Sequence, residues 1–193
     1  MVSAAQSDSI EWEPALVQRA CGGDMRAFER LYRQHIGSVH GLCLRLTRDR
    51  AAAEDCAQEA FFNAWRALKR FETRSSFGTW LHRIAVNVVL SRRRKAAGHA
   101  ELSLSPADPG EEPTEPPGEW TLDTPVEVRE IEDAVGALPE GARDALVICG
   151  IYGYSHGEAA QMLGVAEGTC KAQLHRARAL LRARLGVSAQ ETR

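Results

Sequence analysis

Ser155-His156-Gly157-Glu158-Ala159-Ala160-Gln161-Met162-Leu163-Gly164-Val165-Ala166-Glu167-Gly168-Thr169-Cys170-Lys171-Ala172-Gln173-Leu174-His175-Arg176-Ala177-Arg178 is the stretch from which the fold is read. Ser155 followed three residues later by Glu158 forms a capping box, which opens a short helix through Ala159, Ala160 and Leu163. Gly164-Val165 makes a tight turn, and a longer helix runs from about Glu167 to Leu185. A short helix, a glycine turn and a longer basic helix are the ingredients of a helix-turn-helix, whose second helix enters the major groove. Ala160 supplies the close contact, while Val165, Cys170, Leu174 and Ala177 form the inner face. Lys171, His175, Arg176 and Arg178 fall on the outer face, where they are able to pair with phosphates or guanine edges. A charged, solvated face is the competing reading. Capping box, turn and one-sided charge together favour DNA.

Upstream of this unit, Thr124-Pro125-Val126-Glu127 combines a capping box with proline at the first helical position. Val128, Ile131, Val135 and Leu138 give that helix its buried face, and Pro139 ends it. A further helix runs through Ala142, Leu146 and Cys149 to Tyr152.

From Ala96 to Pro125 the apolar periodicity disappears, and six of the eight prolines fall between Pro106 and Pro125. Seven acids stand there with no Lys or Arg. Such a composition reads as an extended, solvated linker, able to span roughly 30 Å as a coil and about 90 Å as stretched polyproline. It lets two domains sit well apart.

The first ninety residues are helical in pattern. Pro14 suits a first helical position, Gly22-Gly23 a stop and Asp24 an N-cap for the segment with Phe28 and Leu31. Asp49 caps a helix whose apolar residues Ala53, Ala57, Ala60, Phe61, Ala64, Trp65 and Leu68 recur at three- and four-residue steps. Ser75 or Ser76 starts another, with Trp80, Leu81, Ile84, Ala85 and Val88 inside and Arg92-Arg93-Arg94-Lys95 at its end. No useful strand alternation or internal repeat is present. The expected fold class is all-α: two small helical domains, residues 10–95 and 124–186, joined by a flexible, acidic, proline-rich linker, residues 96–123.

Charge distribution says more than the total. The chain of 193 residues carries −2, so removing the linker's −7 leaves +5 elsewhere. Arg66 to Lys95 holds nine Lys or Arg against Glu72 alone, and Thr169 to Arg184 holds five against none. The five cysteines are widely spaced, without a C-x-x-C pair or a zinc-type histidine pair, and are expected to be reduced. No leader-type start and no apolar run of about 20 residues is found, so secretion and membrane insertion are not expected. The reading is cytoplasmic, with no cofactor, no metal and no enzymatic cluster: neither a nucleophile with its base nor a carboxylate metal set is present.

Phe71, Phe77 and Trp80 flank the polar stretch Glu72-Thr73-Arg74-Ser75-Ser76, a mixture suited to holding unstacked bases of single-stranded DNA. The alternative places all three aromatics in the core, and it is favoured for Trp80.

At this point the residues resemble a known family, the extracytoplasmic function sigma factors of RNA polymerase. In the first half the resemblance rests on Asp24-x-x-Ala27-Phe28-Glu29-x-Leu31-Tyr32, on Ala53-Glu54-Asp55-x-x-Gln58-Glu59-Ala60-Phe61-x-x-Ala64-Trp65 and on Thr79-Trp80-Leu81-x-Arg83-Ile84-Ala85-x-Asn87. In the second it rests on Leu138-Pro139, Gly153-Tyr154-Ser155, Glu158-Ala159-Ala160, Leu163-Gly164-Val165, Gly168-Thr169 and Leu174-His175-Arg176-Ala177-Arg178.

The resemblance implies a region 2 bundle, a region 4 helix-turn-helix, and promoter-specific transcription initiation with core polymerase. It implies that Asp55, Gln58 and Glu59 dock on the beta-prime clamp helices, and that the second domain meets the beta flap. Phe71, Arg74, Ser75, Ser76, Phe77 and Asn87 would capture a flipped base of the minus-ten element as the duplex melts. Thr169, Lys171, Ala172, His175, Arg176 and Arg178 would face the minus-thirty-five element. An anti-sigma protein is an implied partner. Three departures stand out: Glu72-Thr73 in place of the usual basic residue and glycine, Ala166 at the recognition-helix N-cap, and Cys170 in place of valine. A stand-alone helix-turn-helix regulator is the alternative function, and it would bind its operator without polymerase.

Overall fold

The capping chemistry read from the sequence recurs in a computed structural model, which describes residues 12–96 and 128–185. Helix α1 spans Glu13–Cys21, with Pro14 in its first turn, and stops at Gly22; Gly23 follows at φ 93°. Asp24 caps α2, Met25–Thr47: its Oδ1 accepts from the amides of Arg26 and Ala27 at 2.9 and 3.2 Å. Asp49 caps α3, Arg50–Ala67, accepting from the Ala52 amide at 2.7 Å. A short 3-10 turn, Leu68–Arg70, leads to the loop before α4, Phe77–Ala96. There Ser76 is the N-cap, its hydroxyl accepting from the Thr79 amide at 3.1 Å.

The alanines of α3, Ala53, Ala57, Ala60 and Ala64, are buried, as are Cys56 and Phe61. Small side chains at helical spacing let α2 and α4 approach α3 closely. Their buried counterparts include Leu31, Val39, Leu42 and Leu46 on α2 and Leu81 and Ala85 on α4.

The second half starts with α5, Val128–Gly136. Next come α6, Glu140–Ala145, and its continuation as a π-helical segment, Leu146–Ile151. Then follow α7, His156–Leu163, and α8, Glu167–Leu185. The π-helical widening was not legible in the sequence, which predicts one uniform helix to Tyr152. Ile131, expected on the buried face of α5, is 38% exposed, whereas Ala134, Val135 and Leu138 are buried. The buried stripe is thus rotated, and Ile131 lines a groove with Leu44 of α2 and Ile151. The expected capping box at residues 124–127, the linker and the side chain of Val128 lie outside the described residues. Among the described residues there is no strand.

The two halves were expected to be able to sit apart. Here they pack together into one buried cluster. The cause is visible in α4, which buries two stripes: Leu81, Ala85 and Val88, and beside them His82, Val86 and Val89. A helix with one apolar stripe is satisfied by one neighbour, whereas α4 has two. It packs against α2 and α3 on the one hand and against α7 on the other.

Candidate nucleic-acid interface

The helix-turn-helix is set by local bonds. Ser155 and Glu158 form the complete capping box, with the Ser155 hydroxyl accepting from the Glu158 amide and the Glu158 carboxylate accepting from the Ser155 amide at 3.0 Å. Gly164 ends α7 at φ 70°, a conformation open to glycine without strain, and the Val165 amide donates to Ala160 C=O at 3.0 Å. Cys170, Leu174 and Ala177 are then buried at steps of four and three residues. Their burial fixes the rotation of α8. Lys171, His175, Arg176 and Arg178 consequently face solvent, while Thr169 and Ala172 are half-buried. Ala166 offers only its carbonyl, which accepts from the Cys170 amide at 3.0 Å. Lys171 pairs with Glu167 one turn earlier, at 2.9 Å, and that ammonium lowers the Glu167 carboxyl below its usual range.

In the first half, the loop before α4 stands on an aromatic base. Phe77 is 2% exposed, packed edge-on against His35 and Phe71 with ring centroids at 5.2 and 6.1 Å; Phe71 lies 5.0 Å from Trp80. Phe77 therefore lies beneath the loop, with its ring packed against its neighbours. Phe71 and Ser75 are half-buried; Arg74 and Ser76 are exposed. Thr73 takes φ 52°, and Arg74 pairs with Glu72 at 2.8 Å. Asn87 is exposed on α4, ten residues beyond Phe77. Ten residues of α-helix rise about 15 Å.

Asp55, Gln58 and Glu59 are all exposed on one side of α3. Asp55 accepts from Arg92 of α4 at 2.9 Å across the surface. One turn on stands Phe62, 59% exposed, with the Arg66 guanidinium 5.6 Å from its ring centroid. Sequence reading missed Phe62. The available signal was an aromatic residue at a register position that the buried stripe of α3 does not include.

Sequence reading also missed a polar seam between the halves. His82 is 8% exposed, with Nε2 3.0 Å from Ser38 Oγ and Nδ1 2.7 Å from the Tyr154 hydroxyl. Burial, with a smaller contribution from His35, pushes its pKa down to about 4, so the ring is neutral at physiological pH. The Tyr152 hydroxyl donates to Ser38 C=O at 2.9 Å. Farther along α4, Arg93 donates to both carboxylate oxygens of Asp144 at 2.6 and 3.2 Å, and to Leu46 C=O. Asp144 is 4% exposed; burial raises its pKa and the Arg93 guanidinium opposes the shift. Arg143 lies beside it, donating to Leu138 C=O at 3.2 Å and Leu46 C=O at 3.4 Å.

All five thiols are free. Cys149 and Cys170 approach to 3.9 Å between their sulfurs, but burial pushes the Cys170 thiol up to about 12, far from the thiolate that reacts. Among the described residues no group of three or more His, Cys, Asp or Glu is placed to hold a metal ion, and no helix is long and apolar enough to cross a membrane.

This geometry has counterparts among known proteins. Residues 31–98 match the sigma-70 region 2 family and residues 128–181 the sigma-70 region 4 family. The chain is 37% identical to the ECF RNA polymerase sigma factor SigM of Mycobacterium tuberculosis over 164 residues, covering 85% of this chain and 80% of that protein. It is 32% identical to the RNA polymerase sigma-H factor of Pseudomonas aeruginosa over 176 residues, covering 87% and 91%. Among solved structures, CnrH of Cupriavidus metallidurans in complex with the cytosolic domain of CnrY aligns with a TM-score of 0.61 at 27% identity, covering 90% of this chain and 97% of that one.

Proposed function

Since the chain belongs to the extracytoplasmic function group of the sigma-70 family and directs RNA polymerase to promoters, we propose the residues by which it does so. The first unit, residues 10–95, docks through Asp55, Gln58 and Glu59 on the beta-prime clamp helices of core polymerase. Exposure of the three side chains on one face of α3 supports this. Phe71, Arg74, Ser75, Ser76, Phe77 and Asn87 meet the minus-ten element, where the loop and Asn87 capture a flipped base as the duplex melts.

The second unit, residues 124–186, places α8 in the major groove at the minus-thirty-five element and meets the beta flap. Thr169, Lys171, Ala172, His175, Arg176 and Arg178 form the reading face. Residues 96–123 link the units. The observation that carries this reading is the rotation of α8: burial of Cys170, Leu174 and Ala177 turns its cations outward after the capped α7 and its glycine turn. The factor acts in the cytoplasm, where polymerase is, without catalytic chemistry of its own, and is held inactive by an anti-sigma protein.

The test is to sequence the DNA retained by the purified protein together with core polymerase. The reading predicts a pair of elements at fixed spacing, enriched only when both proteins are present. Equal enrichment by this protein alone would overturn it.

A further inference from the structure

Two thiols of the second half lie close enough to act together. Cys149 belongs to the π-helical segment and Cys170 to the buried face of α8, and their sulfurs are 3.9 Å apart. Neither belongs to the DNA-reading face. Cys149 stands where the helix widens, a feature that concentrates at functional sites. Cys170, 1% exposed, also lines a cavity of about 220 Å³ with Leu163, Gly164 and Thr169, which brings a small ion to its sulfur.

The spacing selects the chemistry. A disulfide needs its sulfurs about 2.05 Å apart, so this pair would have to close by nearly half its separation. Two thiolates on one metal ion stand up to about 4.6 Å apart, twice a metal–sulfur bond of about 2.3 Å, and the observed spacing already falls within that span. Zinc takes four ligands, and among the described residues no group of three or more His, Cys, Asp or Glu is placed to supply them. Thiolates select the soft cation Cu(I), which is satisfied by two of them.

We propose that Cys149 and Cys170 form a two-coordinate site for a soft monovalent cation, Cu(I), beneath the recognition helix. Two S–H bonds break, two Cu–S bonds form, both protons pass to solvent, and no oxidation state changes. The occupied site carries a net negative charge. Arg178, an outward cation of α8, already acts electrostatically on Cys149. An anion held there draws that guanidinium away from phosphate or base, so occupancy weakens the grip of α8 on DNA. This last step rests on the minus-thirty-five reading above; the site itself does not. Burial raises both thiols, Cys170 to about 12, so the metal-free pair is protonated and its affinity for the metal rises with pH.

Anaerobic titration of the full chain with Cu(I), in competition with a chromogenic chelator and at several pH values around neutrality, compares wild type with Cys149→Ala and Cys170→Val. Valine matches cysteine as a small apolar side chain, so Cys170→Val should fold and use promoters as before. Cys21, Cys43 and Cys56 remain in both variants. The site predicts a single Cu(I) bound by wild type, with affinity rising up to about 100-fold per pH unit as both protons are displaced. Either variant should lose about 100-fold or more, since one thiolate forfeits the chelate. Cu(I) should also weaken promoter binding by the factor–core polymerase complex about fivefold or more in wild type, the lower end of one base contact, and not in Cys170→Val. Undiminished affinity in Cys170→Val overturns the proposal, because another thiol then holds the metal. So does affinity independent of pH, or promoter binding that Cu(I) leaves unchanged in wild type. Failure of the minus-thirty-five reading shows itself without metal: the copper-free complex then binds equally whether that element is intact or scrambled.

Discussion

His82 makes the folded protein acid-sensitive, by an amount that follows from its surroundings. The ring is held neutral among Ser38, Tyr152 and Tyr154, chiefly by burial and to a smaller extent by nearby His35. Its pKa falls from 6.5 to about 4 on folding. The native state therefore binds this proton less tightly than the unfolded chain does. Stability is unaffected well above 6.5 and is lost as the pH falls from there toward 4. From those two values the loss is about 2 kcal/mol at pH 5 and about 3 kcal/mol at pH 4. Carboxylates titrate in the same range, so the assay is a comparison: urea unfolding of wild type and His82→Gln from pH 8 to pH 4. Glutamine carries no charge, and the wild type should lose stability relative to it by the stated amounts. Parallel curves for the two proteins, or an imidazole resonance of His82 titrating near 6.5, would refute the reasoning.

Three substitutions probe the readers. Arg176→Ala should weaken use of the minus-thirty-five element by about 1 to 3 kcal/mol if the guanidinium pairs with a base edge, measured as promoter affinity on matched and mutated elements; equal losses on every upstream sequence would make it a phosphate contact. Asn87→Ala should impair promoter melting more than closed-complex formation, and a normal permanganate footprint would contradict that role. Leu174→Ala removes a side chain that is 3% exposed beneath the reading face and should destabilise the second unit by about 2 to 5 kcal/mol, seen as early loss of amide protection in α7 and α8; unchanged protection there would show that Leu174 does not anchor the helix.

Much of this architecture was legible because it rests on local chemistry. Asp24, Asp49 and Ser155 bond to amides two or three residues away, and the single-stripe helices α3 and α8 announce their buried faces by spacing alone. The family motifs then identified the rest. What escaped depends on partners distant in sequence. Arg93 and Asp144 are 51 residues apart and His82 and Tyr154 are 72 apart, and a polar residue at any of these positions reads as a surface group until its neighbour is known. Ile131 was misassigned for a related reason: the stripe of α5 is rotated toward Ala134 and Val135, and Ile131 is left beside a groove at the seam. Phe77 was ambiguous because aromatic residues at a loop edge serve a core and a base equally well, and its packing among the rings of His35, Phe71 and Trp80 depends on residues distant in sequence.

This chain confers promoter choice on a polymerase. Run-off transcription on genomic fragments with core enzyme, with and without the purified protein, tests it most directly. Defined start sites should arise only when both are present and vanish when either the minus-ten or the minus-thirty-five element is scrambled. A transcript profile unchanged by adding the protein would contradict it.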